Sequence, residues 1–338
     1  MAVQLKIMDI NVSSWIEMSV RFKKPEQSQD DYKEAHKLLV NNFFSTIISK
    51  KSPDIITMQS LHDNLAQKEF REEMKNNGYT IIGGNGPCIA YRTDKFQQLC
   101  VNEMNPGNRG HIYADLQENT SGKVICVVSN YLSGFNAKMH KETVKICKGE
   151  ITTNSNMERS ATQQNIQRYQ NLKKEVPKQG DDQLKNSLDE IQKKHNKIQP
   201  DLIVYGLVAN TTAKFVENRL HPKRLQQSTH VGFICDEQDK APTTVDYDTE
   251  QAMRYDYLYV KALNGQVSIQ SQVLGPAPDA YDQFFTDHRP VMAHIQLHSP
   301  SLISRFMSFP RIVLATVLSL ITGIFVWKIF KQYSHRIS

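Results

Sequence analysis

The sequence predicts an α+β protein, a mixed β-sandwich carrying a few helices, followed by one C-terminal transmembrane helix. Many short apolar or alternating runs read as strands, with a few helical stripes between them and no strict βα alternation. Hydrophobic residues make up 39% of the 338 positions and charged residues 22%, enough for a core and incompatible with a disordered chain. A mean hydropathy of −0.50 excludes a polytopic membrane protein, yet one long uncharged apolar stretch stands near the C-terminus.

The elements follow in order. Val3, Leu5 and Ile7 alternate with Gln4, Lys6 and Met8, the pattern of a half-buried strand. Leu38, Leu39, Phe43, Ile47 and Ile48 recur at helical spacing, so Tyr32 to Lys50 reads as a helix that Pro53 stops. Asp54 to Met58 is a second strand. Phe70 to Asn77 is a short helix closed by Gly78, and Tyr79 to Ile82 is a strand. Ile89 to Tyr91 is another, after the turn-rich Gly83 to Pro87. Val124 to Val128 is a continuous apolar run, as in a strand buried on both faces. Residues 136–200 are polar. Leu184, Leu188, Ile191, His195 and Ile198 form one helical stripe there, after a break at Pro177 to Gly180, with His195 read as a packed or edge residue. Leu202 to Val204, Arg254 to Val260 and Val291 to Leu297 are the last strands.

Composition shifts near residue 300. Ile312 to Trp327 carries no charge, lies between Arg311 and Lys328, and with Ile329 and Phe330 reaches the roughly 17–25 residues a bilayer crossing needs. The flanking cations can snorkel and Trp327 sits at belt position. The expected organisation is a domain over 1–298, a linker over 299–310, an anchor over 311–330 and a short basic tail over 331–338. No secretory signal precedes the first strand, so a single-pass tail anchor with a cytosolic N-terminal domain is expected.

Five cysteines, odd in number and without CxxC spacing, exclude a disulfide framework and a zinc knuckle. A net charge of +6 suits an anionic partner. Nucleic acid is not the expected one: no run of five Lys or Arg and no RNP-like or finger motif occurs, and pairs such as Lys173-Lys174 read as solvated faces.

Seven segments, in order, resemble the endonuclease/exonuclease/phosphatase (DNase I-like) superfamily. They are Leu5 to Val12, Pro53 to Gln59, Tyr91 to Phe96, Val127 to Gly134, Asp201 to Gly206, Arg254 to Leu258 and Thr286 to Val291. The resemblance implies a four-layer α/β sandwich of two packed mixed sheets flanked by helices, with the site at one end of the sheets. It also implies divalent-metal phosphoester chemistry, in which Mg²⁺ neutralises the phosphate, a carboxylate activates water and an Asp-oriented His contacts phosphate. Mapped residue by residue, Asn11, Asp256 and His288 match catalytic positions, Tyr131 replaces a histidine, and Asp287 is a remnant metal position. The metal Glu becomes Ser60, and the Asp and Asn of the "GDxN" motif become Leu207 and Ala209, with Asn210 one place late. Asp9, on the same strand face as Asn11, is the substitute that could supply an oxygen, with His62 and Asp63 near in sequence.

Serine is a poor Mg²⁺ ligand and leucine accepts no proton, so Mg²⁺ binding is expected to be weak or absent. The expected function is a membrane-tethered pseudoenzyme or weak phosphoester binder that docks a phosphorylated ligand or protein partner. The alternative is an active Mg²⁺-dependent phosphoric ester hydrolase with a rearranged metal site, acting on a lipid such as a phosphoinositide or on nucleic acid. A tail anchor and heavy Asn, Gln and Lys usage suit a eukaryotic protein or a bacterial effector acting in such a cell.

Overall fold

The computed structural model describes residues 2–12, 37–38, 40–61, 65–84, 86–104, 111–131, 186, 189–191, 193, 199–208, 233–236, 241–246, 251–253, 256–275, 286 and 288–298. All fall within the unit Met1–His298. Among them no helix is long and apolar enough to cross a membrane; the expected span over 311–330 lies outside them, as do the linker and the tail.

Among the described residues there are thirteen strands: β1 Val3–Asn11, β2 Ile55–Leu61, β3 Tyr79–Ile82, β4 Gly86–Arg92, β5 Phe96–Met104, β6 His111–Glu118, β7 Val124–Tyr131, β8 Leu202–Val208, β9 Thr244–Asp246, β10 Gln251–Met253, β11 Asp256–Ala262, β12 Gln266–Val273 and β13 Val291–His298. One sheet has six strands in the order β12-β13-β1-β2-β4-β3, and another has five in the order β11-β8-β7-β6-β5; β9 and β10 form a separate ribbon. Each large sheet holds one parallel pair, β1 with β2 and β7 with β8, inside an otherwise antiparallel ladder. The expected mixed sheets are therefore present.

Period-two alternation explains how they pack. Val3, Leu5 and Ile7 of β1, Ile55 of β2, Ile125 and Val127 of β7, and Leu202 and Val204 of β8 meet in one core between the sheets. The opposite face of the six-stranded sheet, with Met8, Ile10, Ile56 and Met58, is covered by helix residues Phe43, Phe44, Ile47, Phe70 and Met74. The outer face of the five-stranded sheet buries Tyr113, Cys126, Tyr205 and Leu207 with Ile191 and Phe233. Central strands β2 and β8 are buried along their whole length, which is why their sequences read as continuous apolar runs.

Helix α1 is a π-helical turn, Phe44–Ile48, running into Ser49–Lys51. Ser52 then turns left-handed at φ 46°, ending the helix just before Pro53. Helix α2, Leu65–Asn76, starts five residues earlier than its apolar stripe suggests. Strands β5, β6 and β12 carry no clear sequence signal. β12 is an edge strand whose residues are all exposed or half-buried, and polar His111 and Asp115 interrupt β6. Most of the stripe over 184–198 lies outside the described residues, His195 included. Cys88 and Cys126 are buried, and Cys100 and Cys235 are half-buried.

The two sheets approach closely at Gly206. A Cβ built there would collide with the Thr57 side chain and lie 2.5 Å from Asp9 Oδ1. Thr57 is stiff at χ1, so the clash is not relieved by a rotamer change. Gly206→Ala is therefore expected to destabilise the domain by about 1–3 kcal/mol. Thermal unfolding of the full chain measures it, and an unchanged midpoint would refute this account of the close approach.

Candidate functional site

Toward one end of the sandwich the inter-sheet layer changes from apolar to polar. On β1 the inward positions after Ile7 are Asp9 and Asn11; on β2 those after Ile55 are Thr57 and Gln59. Parallel pairing sets Asp9 beside Thr57 and Asn11 beside Gln59. From the other sheet come Ser129 and Tyr131 of β7, Gly206 and Val208 of β8, and Asp256 of β11, with Tyr131, Val208 and Asp256 in one register row. Asp9, Asn11, Thr57, Gln59, Ser129 and Asp256 are all buried.

His288, in the turn before β13, completes a dyad. Its Nδ1 lies 3.0 and 2.8 Å from the two Asp256 carboxylate oxygens. Its Nε2 lies 3.1 Å from Asn11 Nδ2. A carboxylate only accepts and an amide nitrogen only donates, so Nδ1 carries the hydrogen and Nε2 accepts from Asn11. Two buried threonines position the dyad. Thr286 Oγ1 donates to Asn11 O at 2.7 Å and accepts from the His288 amide at 3.2 Å. Thr243 Oγ1 accepts from the Asp256 amide at 3.2 Å, while its carbonyl accepts from the Arg289 amide at 2.6 Å.

Asp9 sits deeper. Its Oδ1 accepts from Thr57 Oγ1 at 2.6 Å and from Gln59 Nε2 at 2.8 Å. Gln59 Nε2 also reaches Ser129 Oγ at 3.2 Å, and that hydroxyl donates to Met58 O at 2.7 Å. Burial, and secondarily the charge of Asp256, push the Asp9 carboxyl up to about 8, against the opposing effects of Thr57, Gln59 and His288. Asp9 Oδ2, Asn11 Oδ1 and Gln59 Oε1 are buried with no hydrogen-bond partner among the described residues.

The structure thus brings Asn11, Asp256, His288 and Asp9 together and sets Tyr131 on the row of Asp256. Asp287, His62, Asp63, Ala209 and Asn210 lie outside the described residues. One assignment is corrected: Leu207 packs in the outer core of the five-stranded sheet, so strand alternation presents Gly206 and Val208 to the site instead. Neither has a polar side chain, so β8 offers no acid from either register. Ser60 is buried in a left-handed conformation, φ 59°, where the β2–β4 register slips between Met58 and Leu61. Among the described residues no group of three His, Cys, Asp or Glu is placed to hold a metal ion. Sequence reasoning gave no site role to Thr57, Gln59, Ser129, Thr243 or Thr286, although Gln59 matches the segment Pro53 to Gln59 of the resemblance. The signal for the first two was their period-two spacing, which becomes informative once β1 and β2 are paired.

No family model and no curated protein matches the sequence. The fold does match solved structures. The human nocturnin catalytic domain with a bound sulfate anion aligns with a TM-score of 0.55 at 12% identity, over 88% of this chain and 97% of that one. ANGEL2, a 2',3'-cyclic phosphatase in complex with adenosine-2',3'-vanadate, gives 0.55 at 13% identity over 88% and 96%. The endonuclease/exonuclease/phosphatase of Bacteroides vulgatus gives 0.52 at 14% over 88% and 100%. The chain has the endonuclease/exonuclease/phosphatase fold.

The raised Asp9 carboxyl has a consequence for stability. Between the unfolded carboxyl value near 4 and its folded value of about 8, the folded chain holds a proton the unfolded chain has lost. This group's contribution is complete below the window and falls as pH rises through it, by up to about 1.4 kcal/mol per pH unit. Asp9→Asn keeps an acceptor for Thr57 and Gln59 and has no such slope. In EDTA, its midpoint is expected to gain steadily on the parent's from about pH 5 to 8. A pH-independent difference in melts would refute the assignment.

Proposed function

We propose that this chain is a membrane-tethered phosphoester-binding protein that docks a phosphorylated ligand at Asn11, His288 and Asp256 with little or no turnover. The observation that carries the reading is an intact His288–Asp256 dyad in a pocket whose β8 face presents only Gly206 and Val208. Asp256 fixes the imidazole so that Nε2 faces the pocket, and the Asn11 amide lies beside it. An entering phosphate displaces the Asn11–His288 contact. It then accepts from the Asn11 amide and from a protonated Nε2, two donors held by rigid strands. No carboxylate on β8 stands ready to take a proton from water, and losing a general base typically costs about 10²–10⁴ in rate. The neighbouring folds hold a sulfate anion and an adenosine-2',3'-vanadate, which supports an anion of phosphate type here.

The tether rests on the uncharged run Ile312 to Trp327 between Arg311 and Lys328. It leaves the N-terminal domain facing the cytosol, close to phosphorylated lipid headgroups and membrane proteins. Deleting 311–338 is expected to move the chain from the carbonate-resistant membrane pellet to the supernatant; retention in the pellet would refute the anchor.

A second reading, a working Mg²⁺-dependent phosphodiesterase, draws on Asp9, a buried carboxyl inside the pocket. The two readings separate on the full chain in detergent. Inorganic phosphate is expected to bind and to bind about tenfold or more weaker to His288→Ala, the loss of one charge-assisted hydrogen bond. Phosphodiester hydrolysis in Mg²⁺ is expected to match that of the same variant. Equal phosphate binding by both proteins would refute docking at His288. A Mg²⁺-dependent rate abolished in the variant would establish the second reading.

A further inference from the structure

The outer face of the six-stranded sheet is covered along only part of its length. Met8 of β1 and Met292 of β13 are register partners on that face and pack with Phe44, Ile47, Phe70 and Met74 of the two helices. One alternation further from the pocket the same face is exposed. Lys6 pairs with His294 and His294 with Gln270; in the next row Gln4 pairs with Gln296 and Gln296 with Ser268. All six are exposed, as is His298, the last residue of β13. None of the seven is acidic. The end of α1 adds cations: Lys6 Nζ donates to Lys51 O at 3.4 Å, which sets it beside the basic last turn of Lys50 and Lys51. Asp54, which accepts from the Lys6 amide at 2.9 Å, is buried and already paired with Lys95 at 2.6 Å.

From this arrangement we infer that Lys6, Lys50, Lys51, His294 and His298 form a docking surface for an anionic lipid leaflet. Two observations choose a bilayer over other anionic partners. The first is where the chain goes: it leaves this face at His298, and twelve residues, 299–310, separate it from Arg311 and the uncharged run. Twelve extended residues reach at most about 40 Å, so an anchored chain holds the face at high effective concentration beside the leaflet. The same twelve carry Arg305 and no acid, which adds to the attraction. The second is the chemistry of the exposed rows, lysine, histidine, glutamine and serine, with no aromatic ring on which a nucleic-acid base could stack. Each lysine beside an anionic leaflet is worth about fivefold in partitioning, so three give on the order of a hundredfold, enough to orient a domain already tethered. The inference rests on the tether reading for the domain's nearness to the bilayer, and goes beyond it by naming the face that meets the lipid. The phosphate pocket is not used: Asn11 follows Lys6 by five residues on β1, roughly 17 Å along the strand, so headgroups held on this face do not fill it.

The test is reductive methylation of lysines with formaldehyde, a small uncharged reagent, read residue by residue by mass spectrometry on the full chain in vesicles. Rates are referred to Lys193, which is exposed and two residues from Ile191, a side chain packed on the outer face of the other sheet. Replacing about 30% of the phosphatidylcholine by phosphatidylglycerol at low salt is expected to slow Lys6, Lys50 and Lys51 at least about fivefold relative to Lys193, and about 0.5 M salt to restore them. Lys6→Glu is expected to return Lys50 and Lys51 close to their rates in neutral vesicles. Equal rates in neutral and anionic vesicles overturn the inference, and so does protection that Lys6→Glu leaves intact. Protection of the same lysines by a single-stranded oligonucleotide, and not by anionic lipid, assigns the face to nucleic acid and overturns it as well. Carbonate extraction of the same vesicles reports the tether separately. Release of the chain refutes the anchor, while the lysine rates with anionic vesicles still decide the face.

Discussion

The close approach of the two sheets at Gly206 is the constraint on which the pocket depends. Because β8 has no Cβ there, Thr57 and the Asp9 carboxyl occupy the space between the sheets. Burying a carboxyl costs several kcal/mol unless it is hydrogen-bonded or kept neutral. Thr57 and Gln59 supply the hydrogen bonds, and Ser129 ties Gln59 to the opposite sheet. The polar end of the sandwich is therefore a connected network rather than a set of independent residues. Where their members are satisfied, networks of this kind rigidify the structure and specify a single core arrangement.

The dyad depends on the same scaffold. His288 and Asp256 are 32 positions apart and reside on different sheets' edges of the pocket, so their contact exists only in the folded sandwich. Thr286 couples the His288 turn to the end of β1. Thr243 couples Asp256 to the backbone of Arg289. Each threonine thus bonds two segments, which fixes the imidazole more tightly than packing alone. Asn11 is the shared member, touching His288 through its side chain and Thr286 through its carbonyl.

Much of this was legible in the sequence because the carriers are central strands. β1, β2, β7 and β8 are apolar on one or both faces, and their order resembles that of a known fold. Asn11, Asp256 and His288 stand in short runs whose neighbours identify them. The edge strands β5 and β12 were illegible because half their residues face water and carry no period that composition favours. The site-facing residues of β8 were misjudged for a different reason. Strand faces alternate, so a motif aligned one residue off exchanges Leu207 for Gly206 and Val208, and only the pairing of Asp256 with Val208 reveals it. Thr57 and Gln59 were hidden because their partner Asp9 lies on another strand, about fifty positions away.

The misregistered assignment also changes what the loss of acid on β8 means. With Leu207 in the site, the pocket would be one from which a charge had been deleted. With Gly206 there, a side chain is absent from β8 and a carboxyl from β1 fills the vacated volume. Asp9 and a side chain at position 206 are sterically exclusive, so the glycine and the aspartate are a matched pair. The pocket's carboxyl therefore enters from the opposite sheet, two residues along the strand from Asn11. That carboxyl lies against Gly206 of β8 and is carried by the same strand as Asn11, the residue that touches His288. The polar end of the pocket is thus set by a steric exclusion between two strands, in which the missing side chain on one makes room for the buried carboxyl of the other.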